Sequence, residues 1–126
     1  MAKTALIVED NKDLAETFDL VLSQMVGLQT HVLHDGQEAS DYLLATAPDL
    51  LLLDLHLPYV NGQTILEQMA QNPRQTNTRV IVATADVFLD DDFERVYTAV
   101  NKLMFKPVSI NALVTAVREL LDFSSS

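Results

Sequence analysis

Cysteine is absent, which excludes disulfides, a thiol nucleophile and cysteine-ligated metal, so packing alone must hold the fold. Basic residues are scarce: 8 Lys and Arg stand against 18 Asp and Glu, a formal charge of −10. A phosphate backbone demands cationic side chains that this chain spends sparingly. Direct nucleic-acid binding is therefore a poor reading, and cations or basic protein surfaces are better partners. No aliphatic run approaches the roughly 18 residues of a membrane span. The N-terminus also lacks the basic-then-apolar layout of a secretory signal, and the expected setting is soluble and cytoplasmic. Glycine and proline number only three and four, and most fall where the hydrophobic pattern breaks. What is plentiful is apolar: 48% hydrophobic residues in 126 fill one core of ordinary size.

These apolar residues alternate between two periods. Short unbroken runs at Thr4 to Val8, Asp49 to Leu53 and Arg79 to Ala83 read as strands buried on both faces, and Gln29 to Leu33 and Leu103 to Phe105 complete a set of five. Helical spacing fills the gaps. Leu14, Phe18, Val21, Leu22 and Met25 form a first stripe stopped by Gly27, and Ala39, Tyr42 and Leu43 a second that opens at Asp35-Gly36 and ends before Pro48. Pro58 and Asn61-Gly62 mark a loop before a third stripe of Ile65, Leu66 and Met69, which fades by Asn72-Pro73 into a polar linker from Arg74 to Thr78. Phe93, Val96, Tyr97 and Val100 trace a fourth helix behind Asp90, Asp91 and Asp92, acids that suit a helix N-terminus. Ser109 caps a last helix expected to bury Ile110, Leu113, Val114, Val117, Leu120 and Leu121.

Strict strand-then-helix alternation implies a parallel sheet with right-handed crossovers on both faces. The expected fold is α/β, a three-layer, doubly wound, five-stranded parallel sheet of flavodoxin-like order 2-1-3-4-5. One domain spans 1–122, with a disordered tail at 123–126. In that order strands 1 and 3 are neighbours, so Glu9, Asp10 and Asp54, each just past an apolar run, converge at the switch-point crevice. Crowded carboxylates raise one another's pKa or recruit a hard divalent cation, and Mg²⁺ takes oxygen ligands while keeping open positions for a phosphoryl oxygen. Thr84 follows the fourth strand with a hydroxyl and Lys106 follows the fifth with a cation. The set suits an aspartyl phosphate, with Asp54, alone at its strand end, as nucleophile.

At this point the chain resembles a bacterial two-component response regulator receiver domain over nearly its whole length. The likeness is carried by Glu9-Asp10, by Asp54 followed by Pro58 and Gly62 in Asp-Leu-His-Leu-Pro-Tyr-Val-Asn-Gly, by Ala83-Thr84-Ala85 and by Lys106-Pro107. It implies that Asp54 accepts phosphate from a sensor histidine kinase or phosphotransfer protein and that Lys106 contacts the phosphoryl group. It further implies that Glu9, Asp10 and Asp54 hold Mg²⁺ with the carbonyl of His56, and that the Lys106–Pro107 bond is cis. Phosphorylation would draw the Thr84 hydroxyl inward and change binding to a downstream protein, as a monomer or a phosphorylation-linked dimer. The family usually carries an aromatic residue where Leu103 stands, so the relay away from the pocket departs from the pattern.

Blander readings accompany each residue. Glu9-Asp10 can be a solvated turn opening a helix, Thr84 and Asp54 caps, and Lys106 a surface lysine. His31 and His34 fall on opposite faces of one strand, and His56 is distant from both, which disfavours a transition-metal site. Val87, Phe88 and Leu89 are core or an exposed patch for a partner. Among other classes, an aspartate-nucleophile phosphohydrolase of haloacid-dehalogenase type wants a second Asp where His56 stands, and a flavodoxin wants a hydroxyl-rich phosphate loop where Glu9-Asp10 would repel phosphate. A receiver used only for docking is a further alternative.

Overall fold

The computed structural model describes residues 2–86, 93 and 97–121. Five strands, β1 (Thr4–Val8), β2 (Gln29–Leu33), β3 (Leu50–Leu53), β4 (Arg79–Thr84) and β5 (Lys102–Phe105), form one parallel sheet in the order β2-β1-β3-β4-β5. Four helices are described: α1 (Lys12–Leu20), α2 (Gly36–Ala45), α3 (Gly62–Ala70) and α4 (Ile110–Leu120). Each begins at a side chain that accepts a hydrogen bond from the helix's first turn: Asn11, Asp35, Asn61 and Ser109. The expected fold class and strand order hold.

Strand alternation divides the core into two layers. Ala5, Ile7, Leu50, Leu52, Ile81 and Ala83 face α1 and α4, while Leu6, Val8, Leu51, Leu53, Val80 and Val82 face α2 and α3. All twelve are buried, which is why these strands read as continuous apolar runs rather than alternating ones. Among the described residues no helix is long and apolar enough to cross a membrane.

Several expectations need correction. β3 begins at Leu50; the Asp49 carboxylate instead accepts from the Thr4 amide at 2.8 Å. After Leu20 the first helix loosens into a π-helical turn, Val21–Val26, ending at Gly27 in the left-handed region (φ 86°). The altered period carries Met25 off the core stripe, to 50% exposure. Ile110 is 45% exposed because it lies in the first turn of α4, beyond the apolar layer. The polar linker is no surface tether. It forms a 3₁₀ turn, Pro73–Gln75, whose buried Gln75 side chain donates to the carbonyls of Leu43 (2.7 Å) and Thr46 (3.0 Å) and accepts from Thr78 (2.9 Å). That amide closes the C-terminal end of α2, whose last carbonyls have no partner inside the helix. Of the fourth helical stripe, Phe93 and Val100 are buried and Tyr97 tilts against Phe93. Val87 to Asp92, Val96 and the tail from 122 onward lie outside the described residues.

Candidate functional site

Sheet register builds the site. Val8 pairs with Leu53 at the ends of β1 and β3, so the next residues, Glu9 and Asp54, emerge side by side. The Asp54 amide donates to Val8 O at 3.0 Å, and the Glu9 amide to Leu33 O at 3.1 Å, which extends the ladder through both acids. Glu9 is 1% exposed and Asp54 5%, whereas Asp10 lies open to solvent. One carboxylate oxygen from each of Glu9, Asp10 and Asp54 falls within 4.8 Å of the other two.

At the far side of the sheet Thr84 pairs with Phe105, and the Lys106 amide donates to Thr84 O at 2.8 Å, so the lysine starts its reach from the β4 exit. Its ammonium lies 2.7 Å from Glu9 Oε1 and 3.1 Å from Asp54 Oδ2. The other Asp54 oxygen accepts from the His56 amide at 3.2 Å. Glu9 Oε2 accepts from the Asn11 amide at 3.2 Å. Glu9 Oε1 is fully buried and faces the Lys106 ammonium at 2.7 Å.

Burial pushes the Glu9 carboxyl above the ordinary carboxylate range, and the neighbouring Asp54 charge adds to this; Lys106 and the Asn11 amide pull the other way without cancelling it. Burial by itself would lower the Lys106 ammonium, but its contacts to Glu9 and Asp54 outweigh that and raise it. Three carboxylates against one ammonium leave two negative charges, which a single divalent cation would balance. The donor set suits such an ion: three carboxylate oxygens gathered within 4.8 Å of one another are the hard ligands Mg²⁺ takes, and the corners of its octahedron, with bonds near 2.1 Å, lie roughly 3.0 Å apart when adjacent and roughly 4.2 Å apart when opposite.

The remaining candidates take distinct places. Thr84 is buried at the end of β4, and its hydroxyl accepts from the Asp86 amide at 3.1 Å. Leu103 is half-buried against the core layer beneath α2 and α3. The Lys106–Pro107 bond is cis, as expected. His31 stacks on Tyr42 with ring centroids 4.8 Å apart, while His34 places Nδ1 3.0 Å from Glu9 O, so neither histidine joins the other. Two neighbours went unread: Asn11, whose cap position was legible as Asn before an apolar stripe, and Asp86, 3.7 Å from the exposed His56 ring.

A receiver-type acidic pocket at the C-terminal end of a parallel sheet is the arrangement that this fold and these side chains define. The description "Response regulator receiver domain" matches residues 5–118. The chain is 33% identical over 127 residues to the probable methanogenesis regulatory protein FilR2 of Methanothrix harundinacea, covering 94% of this chain and 81% of that one. It is 34% identical over 116 residues to the response regulator ArlR of Staphylococcus saprophyticus, covering 92% of this chain but only 51% of that one. Its fold superposes on the crystal structure of the phosphorylated cyanobacterial phytochrome response regulator RcpA with a TM-score of 0.81 and 27% identity, covering 100% of this chain and 98% of that one. The chain belongs to the response regulator receiver domain family, the phosphorylation-dependent signalling modules of two-component systems.

Proposed function

We propose that residues 1–122 act as a cytoplasmic phosphoacceptor switch in which Asp54 takes a phosphoryl group from a sensor histidine kinase or a phosphotransfer protein. The observation that carries this reading is the convergence on one recessed carboxylate: Lys106 Nζ at 3.1 Å from Oδ2, the His56 amide at 3.2 Å from Oδ1, and Glu9 and Asp10 alongside. That RcpA was solved phosphorylated supports it. Glu9, Asp10, Asp54 and the His56 carbonyl are the groups that would hold Mg²⁺. When bound, the cation supplies neutralisation of the charge gathered between nucleophile and phosphoryl oxygens.

The chain's own residues do the rest. The lysine and the His56 amide fix the plane of the Asp54 carboxylate before any donor arrives. A carboxylate oxygen attacks phosphorus, forming a P–O bond as the P–N bond to the donor imidazole breaks; the imidazole departs with that electron pair and takes up a proton. Lys106 then faces the new phosphoryl oxygens. The Thr84 hydroxyl accepts from Asp86 but retains its own hydrogen, which it can turn toward phosphate. Binding to a downstream protein, as a monomer or a dimer, changes in consequence.

Acetyl phosphate with Mg²⁺ tests this by intact mass. One added phosphoryl group, labile to base and absent from Asp54→Asn, is the expected outcome; rapid multiple turnover of varied phosphate esters would favour a phosphohydrolase instead. No adduct under any condition would leave a receiver that only docks.

A further inference from the structure

Tyr59 is the one non-glycine residue with positive φ among the described residues, at 70°. The Val60 amide donates to Pro58 O at 2.9 Å, closing a three-residue γ-turn centred on Tyr59. A left-handed backbone crowds Cβ against the chain, so a bulky aromatic there is an outlier. The surrounding loop prevents relaxation. Gly36 donates to Pro58 O at 3.0 Å and approaches Val60 so closely that a Cβ would meet its carbonyl oxygen at 1.5 Å. At the loop's root Gly62 donates to Leu55 O at 2.9 Å and abuts Asp54, where a Cβ would meet the carbonyl at 2.6 Å. His56 Nε2, on the same loop, lies 3.7 Å from Asp86 Oδ2 beyond the β4 exit.

So firm a mounting presents the Tyr59 ring outward. It is 87% exposed, joins neither core layer and stacks on no other ring among the described residues. Backbone strain maintained without internal packing points to a function at the surface. Asp54, in contrast, is recessed at 5% exposure. A protein that delivers phosphoryl to it must close over the loops that wall it, and the loop rooted at Asp54 carries Tyr59 at its tip. An aromatic ring held rigid offers large contact area at little cost in rotamer freedom. Asp10 lies open at the acidic pocket, and Glu38 is exposed in the first turn of α2, whose Gly36 packs against Val60, so the matching face is basic with an apolar slot.

We propose that Tyr59 is a docking residue for the phosphohistidine-bearing donor protein, an inference that rests on Asp54 being the acceptor. Small phosphodonors need no such contact. The test times phosphotransfer from the organism's autophosphorylated histidine kinases, purified as a panel, to the full chain and to its Tyr59→Gly and Tyr59→Phe variants, with acetyl phosphate as the partner-free donor. Tyr59→Gly is expected to slow transfer from the preferred kinase about tenfold, with acetyl phosphate labelling unchanged and a melting temperature equal to or above the parent's. Tyr59→Phe is expected to keep transfer within about twofold of the parent. Transfer to Tyr59→Gly at the parental rate overturns the inference, as does an equal loss with both donors, or a parent chain that accepts from no kinase while acetyl phosphate labels it. An effect confined to binding of a target after phosphorylation also overturns it. Failure of acetyl phosphate to label Asp54 in the parent is a different result, and it removes the acceptor reading itself.

Discussion

Asp10 is the exposed member of the acidic trio, and its charge acts on two buried carboxylates that cannot move away. Asp10→Asn removes one like charge, so the metal-free protein is expected to melt about 2–4 °C higher. The same change deletes a Mg²⁺ ligand, and affinity should fall by about tenfold or more. Thermal melts with and without Mg²⁺, together with calorimetric titration, check both. Glu9 gives a pH signature. Its folded pKa is raised above the ordinary 4.5, chiefly by burial, so its contribution to stability is present below that value and is lost as pH rises through the raised one. Melting temperatures measured between pH 4 and 8 without metal should therefore decline less with rising pH for Glu9→Gln than for the parent. Lys106 has the same sign in a higher range: its raised pKa keeps the ammonium charged through neutrality, and its contribution fades only as pH climbs beyond the ordinary 10.5. The identities of these residues were legible from their places at strand ends. Their titration was not, because burial and partner distance decide it.

Elements meet through backbone contacts that side-chain patterns do not announce. Gly36 opens α2, and the Val60 carbonyl occupies the space its side chain would need. Gly36→Ala is accordingly expected to destabilise the domain by about 2–4 kcal/mol, measured by urea unfolding. Gln75→Leu should cost about 2–3 kcal/mol in the same assay, since the Leu43 and Thr46 carbonyls would each lose the donor that Gln75 provides. A change in either midpoint of only a few tenths of a kcal/mol would show that these contacts are dispensable. The strands were readable because a run such as Leu50 to Leu53 has one buried interpretation in either layer. Gln75 and Thr78 were not, because a polar residue reads as surface until its carbonyl partners, 29 to 32 positions away, are known. The π-helical turn at Val21–Val26 likewise leaves Met25 at a spacing that still matches a regular stripe in sequence.

For the whole molecule, parallel register is what turns scattered acids into a pocket. Once strand order is 2-1-3-4-5, Glu9 and Asp54 must be neighbours, and Thr84 and Lys106 must close the same end of the sheet. That much followed from alternating periods and crossover handedness. The γ-turn at Tyr59 did not, since no residue type there signals positive φ. The chain spans about half the length of ArlR. One carboxylate among eighteen acidic residues, that of Asp54, is expected to carry the phosphoryl group. Borohydride reduces an acyl phosphate to an alcohol, converting a phosphorylated aspartate to homoserine, which peptide sequencing by mass spectrometry locates. After treatment with acetyl phosphate and Mg²⁺, homoserine at position 54 alone is the predicted result; homoserine at position 10 or at another aspartate in place of 54, or hydroxynorvaline at a glutamate such as Glu9, would contradict it.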